Sequence, residues 1–389
     1  MKLKIKRFMF TTHLLLESSS TVAMNSLAAE KKARGERVYN LSAGEPELPA
    51  HPAVAAAAMK AIYAGKTLYP PVAGIPELRA AAADWMNKTY NTAYEIKNTL
   101  VTCGGKFGIF SIIQAFVKPS EEVIIISPYW VSYPAIVRLF GANPVFVNTT
   151  EQDGWKINLE KLKSAITPET KMLIINNGSN PTGVLYSRAE MQEILRLAAD
   201  HNLIVLSDEV YSGLTYDSDY ISAAAFLEFQ DRVIVVQSCS KHFAMTGWRV
   251  GLIFGPESAI KILISIQSQS TTGTSSISQY AALSAIQNAG EIIPQVRITM
   301  QERRDVFINT FNQLFETELK KPAAGLYSFF PLSALGVVEK DSVDFCRRAL
   351  SVGNVALVPG LAFGVEGYLR AAFGANQAEL IASLQSLKK

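Results

Sequence analysis

Seven short apolar runs, several of them rich in β-branched residues, recur through the middle of the chain, at 100–102, 123–126, 144–147, 172–175, 203–206, 233–236 and 252–254. Amphipathic stretches with helical spacing, such as 107–117 and 188–201, lie between them. Strands and helices in alternation fold as a largely parallel sheet with helices on both faces, because each parallel crossover carries a helix back over the sheet. Sheets of this α/β kind gather ligands beyond the carboxyl ends of their strands. The polar residues after each run are therefore the first place to look for chemistry.

At 389 residues the chain exceeds what one hydrophobic core usually supports, so two domains are expected. Beyond about position 290 the texture changes. A long charged helix over 294–315 is followed by GLYSFFPL, a helix near 343–351, a strand near 356–358 and a closing helix. Upstream, 21–34 reads as a short amphipathic helix, LSAGEPELP (41–49) as a turn-rich strand exit, and 52–64 as an alanine-rich helix. The expected division is an arm and part of a small domain over 1–49, a large domain over 50–290, and a small α+β domain over 291–389 completed by the N-terminal segment.

Apolar residues make up 49% and charged residues 18% of the chain, with no long uncharged apolar span, so no membrane crossing is expected. The 37 basic and 34 acidic residues are interspersed, without the basic face that nucleic-acid binders present, which leaves small molecules as partners. Cys103, Cys239 and Cys346 are odd in number and far apart, which argues against a disulfide framework and for a reducing cytoplasm. His13, His51, His201 and His242 are scattered, so no metal site is expected. Lys2, Lys4, Lys6 and Arg7 before the apolar run 8–16 loosely imitate a signal peptide, but Thr11, Thr12 and His13 break the run. An arm packing on its own body or on a second subunit is the plainer reading. Gly65-Lys66-Thr67 is no phosphate loop, since that motif needs glycine where Lys60 stands.

The richest stretch is SCSKHFAMTGWRVG (238–251), directly after the run 233–236. It places Lys241 where a strand gives way to a loop, among Ser238, Cys239 and Ser240 and with Arg249 eight positions on. A lysine reacts as a nucleophile once its proton is removable, and nearby cations or burial achieve that. CGGKFGIF (103–110) sets Gly104 and Gly105 at a strand-to-helix junction, where free amides attract an anion. NPTG (180–183) offers the Asn180 amide on a restrained loop, and SDEVY (207–211) ends a strand with Asp208 and, three residues on, Tyr211. A buried aspartate there needs a cation, which a protonated ring nitrogen or a structural ion pair would supply equally well.

LSAGEP, YPPVAGIPELR, GGK, SPYWVSYP, NPTG, SDEVY, SCSKHFAMTGWRVG and VPGLAFGVEGYLRAAF, in this order from about position 18 onward, resemble the pyridoxal-phosphate aminotransferases of fold type I, class I, and within them the bacterial aspartate aminotransferase subgroup. The resemblance implies a large domain with a mostly parallel seven-stranded sheet, a smaller α+β domain, a homodimer with shared sites, and pyridoxal 5′-phosphate as cofactor. It implies that Lys241 holds the cofactor as a Schiff base and shuttles the substrate proton, that Asp208 pairs with the ring nitrogen, and that Tyr211 and Asn180 bond the ring oxygen. It implies that Trp130 stacks on the ring, that Arg249, Ser238 and the amides of Gly105 and Lys106 take the phosphate, and that Tyr69 reaches in from a partner subunit. Arg370, helped by Asn180 and the backbone at Gly44, would grip the substrate α-carboxylate. Gly178 departs from the pattern, standing where relatives commonly carry proline, and a more mobile loop is expected there.

For the side chain of the substrate, Lys106 resembles the lysine that meets the distal carboxylate of dicarboxylic substrates, which favours aspartate and glutamate with 2-oxoglutarate or oxaloacetate. Ser19, Ser20 and Thr21 lie where the N-terminal segment can approach the pocket. Aromatic, prephenate or broad amino-acid specificity stays open. Among other classes, a same-fold carbon-sulfur lyase or cyclopropane-forming synthase would be separated by product analysis, and a cofactor-sensing regulator would need a winged-helix extension.

Overall fold

The computed structural model describes residues 20–388. After a short strand β1 (Tyr39–Asn40), the seven apolar runs form β2 (Thr99–Thr102), β3 (Glu122–Ser127), β4 (Asn143–Asn148), β5 (Thr170–Asn176), β6 (Ile204–Asp208), β7 (Val233–Ser238) and β8 (Gly251–Phe254). They join in one sheet of order β2-β8-β7-β6-β5-β3-β4. All neighbours run parallel except β8, which is antiparallel to both β2 and β7. The α/β expectation is met.

Successive residues of a strand point to opposite faces, and here both faces are buried. Val123, Ile125, Met172, Ile174 and Leu206 enter one core, while Ile124, Leu173, Ile175 and Val205 enter the other. Helix Gly105–Phe116 covers the first face and helix Arg188–Asp200 the second. The latter starts on a capping box in which Ser187 Oγ accepts from the Glu190 amide and the Glu190 carboxylate accepts from the Ser187 amide at 2.7 Å.

A third core joins Met24, Ala28, Val38 and Leu41 from the N-terminal segment to Phe307, Phe311, Phe330, Leu369 and Phe373. Its strands are β9 (Tyr327–Pro331), β10 (Val355–Ala356), β11 (Val358–Pro359) and β12 (Tyr368–Ala372). The expected strand near 356–358 is in fact two: β10 pairs parallel with β1, and β11 pairs antiparallel with β12. The chain changes sheets at buried Leu357. The long helix also differs, spanning Ala289–Phe315 with Pro294 inside it. Proline suggests a helix start because the first turn needs no N–H from it, whereas here it removes the bond to the carbonyl of Gly290 and the helix continues. The early part of this helix, at Ile292, Val296 and Met300, lies in a large-sheet core, and its later part, at Phe307 and Phe311, lies in the third core.

Candidate active site

Asn176, Asp208 and Ser238 are the last residues of β5, β6 and β7, so their side chains emerge at one sheet edge. Antiparallel β8 begins at that same edge, Gly251 pairing with Thr102 on one side and Ser238 on the other. Its direction brings Arg249, two residues before it, to the start of helix Gly105–Phe116. A cavity of about 360 Å³ opens there, lined among others by Gly44, Gly105, Lys106, Trp130, Asn180, Asp208, Tyr211, Ser238, Lys241, Arg249, Tyr327 and Arg370. Eleven of the twelve residues singled out from the sequence thus share one cavity. Tyr69 stands apart, 91% exposed.

Lys241 lies in the turn three residues beyond β7, its Nζ donating to the Gly44 carbonyl and lying 6.0 Å from the centre of the Tyr211 ring. Asp208 Oδ2 accepts from Tyr133 Oη at 2.6 Å and Oδ1 from the Val210 amide at 3.3 Å. Burial pushes this carboxyl up to about 6, against the pull of Tyr133, the Val210 amide and Lys241. Among the described residues no lysine or arginine forms an ion pair with it, so of the two cations that would serve it, no structural one is found there.

Arg370 on β12 crosses from the third core into the cavity. It is 2% exposed, donating through Nη1 to Asn180 Oδ1 at 3.1 Å and through Nη2 to the Ser42 carbonyl at 2.7 Å. Its Nε has no partner, and among the described residues no carboxylate faces it. The guanidinium lies 4.2 Å over the Tyr327 ring and 5.1 Å over Phe363. The Gly44 carbonyl thus serves Lys241, and Ser42 supplies the backbone contact to Arg370.

At the opposite end, Arg249 holds a left-handed φ of 55° and donates to the Thr246 carbonyl at 2.9 Å. Its guanidinium packs where a side chain at Gly104 would stand. Ser238 Oγ meets Ser240 Oγ at 2.9 Å, and the Lys106 ammonium sits 4.9 Å over the Trp130 ring. Burial and the neighbouring Arg249 lower the Lys106 pKa. Gly178 takes a φ of 76°, which a proline ring forbids. Of the three N-terminal positions, Ser19 and the side chains of Ser20 and Thr21 lie outside the described residues; the helix Ser20–Ala33 lines the cavity through Val22 and Asn25.

The sequence reading assigned nothing to Tyr133, Tyr327 or Ser42. Tyr133 meets its partner across 75 positions and Tyr327 meets Tyr211 across 116, separations that no local pattern spans. Their only signal was membership of SPYWVSYP, GLYSFFPL and LSAGEP.

The sequence profile described as Aminotransferase class I and II matches residues 36–387. The aspartate/prephenate aminotransferase of Thermus thermophilus is 36% identical over 373 residues, covering 95% of each chain. The aspartate aminotransferase of Streptomyces avermitilis is 35% identical over 383 residues, covering 96% of this chain and 94% of its own. Among solved structures, the Thermus thermophilus aspartate aminotransferase with maleate superposes with a TM-score of 0.92 at 34% identity, covering 98% of this chain and 99% of its own. The aspartate aminotransferase from Rhizobium meliloti gives 0.91 at 32% identity and 98% coverage of both. The chain belongs to the class I and II aminotransferases.

Proposed function

We propose that this enzyme moves the amino group of L-aspartate to 2-oxoglutarate, giving oxaloacetate and glutamate, with pyridoxal 5′-phosphate bound at Lys241. The observation that carries the substrate half is Arg370. A buried guanidinium without a carboxylate partner is costly, and a substrate α-carboxylate is the anion that would relieve it. Asn180, already bonded to Arg370, would share that carboxylate.

The cavity suits the cofactor. Gly105 and Lys106 open a helix whose first amides are free for a phosphate, with Ser238 and Arg249 beside them. Asp208, held at high pKa by burial, would be brought back to the charged form by a protonated ring nitrogen. Trp130 would cover one face of the ring, and Tyr211 and Asn180 would bond its oxygen. When bound, the cofactor supplies an electron-withdrawing ring that stabilises negative charge at the substrate Cα. Lys241, tethered to the Gly44 carbonyl, would hold the cofactor and then carry the Cα proton between the two sides of the transfer. Arg370 would fix the α-carboxylate so that the Cα–H bond faces Lys241, and the smaller lobe that carries it would exclude water on closing.

Lys106 at the cavity edge would take the distal carboxylate, in keeping with the maleate, a dicarboxylate, of the Thermus structure. The second reading is prephenate as acceptor, favoured by the relatives whose names pair it with aspartate. A donor screen tests the assignment: Lys106→Ala is expected to lower kcat/KM for aspartate and glutamate about 10- to 100-fold while leaving alanine and phenylalanine nearly unchanged. An equal loss across all donors would refute it.

We further propose a homodimer with shared active sites, supported by the exposed apolar side chains Tyr63, Leu68 and Tyr69, at 84%, 80% and 91%. The division at 1–49, 50–290 and 291–389 is proposed with it, supported by the separate third core. No helix among the described residues is long and apolar enough to cross a membrane. A cytoplasmic setting is supported by the free thiols Cys103, Cys239 and Cys346.

A further inference from the structure

Tyr327 has no part in the reading above, yet it stands at the centre of the site. It is 3% exposed, lines the cavity, and its Oη lies 3.0 Å from Tyr211 Oη. The two rings meet edge to face, their centres 5.9 Å apart at 78°. On its other side the hydroxyl is wedged against the backbone at position 44, where any side chain would overlap it. That same Gly44 offers its carbonyl to Lys241.

Two phenols at this distance share one hydrogen bond: one donates, and the acceptor keeps its own proton free to point elsewhere. The direction follows from the role proposed for Tyr211: a phenol has one proton, so if Tyr211 gives its own to an oxygen in the cavity it can only accept from Tyr327 across the 3.0 Å contact. The Arg370 guanidinium over the Tyr327 ring, and the Lys241 ammonium on the Gly44 carbonyl beside its hydroxyl, favour Tyr327 as the donor.

We propose that Tyr327 is a positioning residue for amino transfer: its hydroxyl holds the Tyr211 hydroxyl with the proton aimed into the cavity. This rests on the proposed role of Tyr211 toward the cofactor oxygen. A proton so aimed stabilises an anionic oxygen placed before it and lowers the pH at which the loaded chromophore gives up its proton. Packing alone would not do so, because a phenylalanine at 327 would fill nearly the same space.

The test is a pH titration of the visible absorbance of full-length protein loaded with pyridoxal 5′-phosphate. Tyr327→Phe is expected to raise the midpoint by about half a pH unit or more, Tyr211→Phe by more still, and the double variant by no more than Tyr211→Phe alone. In steady-state assays of Tyr327→Phe, kcat should fall while the KM for aspartate holds. An unmoved midpoint, shifts that add in the double variant, or a raised KM at an unmoved midpoint overturns the inference and leaves the function standing. A wild-type protein without a pH-responsive band overturns the reading of the site and this inference together. Should Tyr327→Phe not fold, Gly44→Ala keeps the tyrosine but displaces its hydroxyl, and it too must raise the midpoint.

Discussion

Asp208 shows how one residue records the chemistry intended for it. Its carboxyl is buried among Tyr133, Tyr211 and Lys241, bonded at 2.6 Å to a neutral phenol and to no cation. Its proton is therefore held more tightly in the folded chain than in the unfolded one, with a pKa of about 6 against an unfolded value of 3.8. The folded state binds the extra proton between those values, so stability falls as pH rises through that window. Above it the buried charge costs about 3 kcal/mol. Urea unfolding of the cofactor-free protein should show Asp208→Asn gaining on wild type between about pH 4 and about pH 7, the loss of the Asp208 charge also easing ionisation of the neighbouring Glu209. A pH-independent difference would contradict this account. SDEVY marked Asp208 as a residue in need of a cation, but Arg370 was legible only through the resemblance. An arginine inside a strand gives no sign, in sequence alone, that it will lie buried without a carboxylate.

Elements were legible wherever a local rule settles them. The apolar runs became the sheet, and the helix over 188–201 starts at its capping box. Ser187 is remote from the cavity, so Ser187→Ala should lower stability by about 1 kcal/mol, read by denaturant midpoint, with kcat/KM unchanged. No stability loss would mean that packing on the sheet, not the cap, fixes that helix start. Local pattern is silent where tertiary context decides: Leu357 divides one apolar run into two strands because two sheets compete for its flanks. Pro294 sits inside a helix whose start at Ala289 is fixed by packing on the large core.

At the scale of the molecule, the site depends on parts far apart in sequence. Ser42 and Gly44 come from the N-terminal segment, Asp208, Ser238 and Lys241 from the large sheet, and Arg370 from the smaller core. No spacing rule predicts that convergence, and the ordered series of motifs carried it instead. The role proposed for Tyr69 would extend the dependence to a second copy. If it enters the partner's cavity, then mixing and refolding Tyr69→Ala with Lys241→Ala should restore up to about a quarter of wild-type activity, since half the sites in mixed dimers are intact. Activity no greater than the sum of the two variants would confine each site to one chain. Every proposed step of the transfer depends on Lys241. Full-length protein given pyridoxal 5′-phosphate should develop a visible absorbance band that bleaches on adding aspartate, and Lys241→Ala should show neither; a wild-type protein that stays colourless with the cofactor would contradict the proposed transfer.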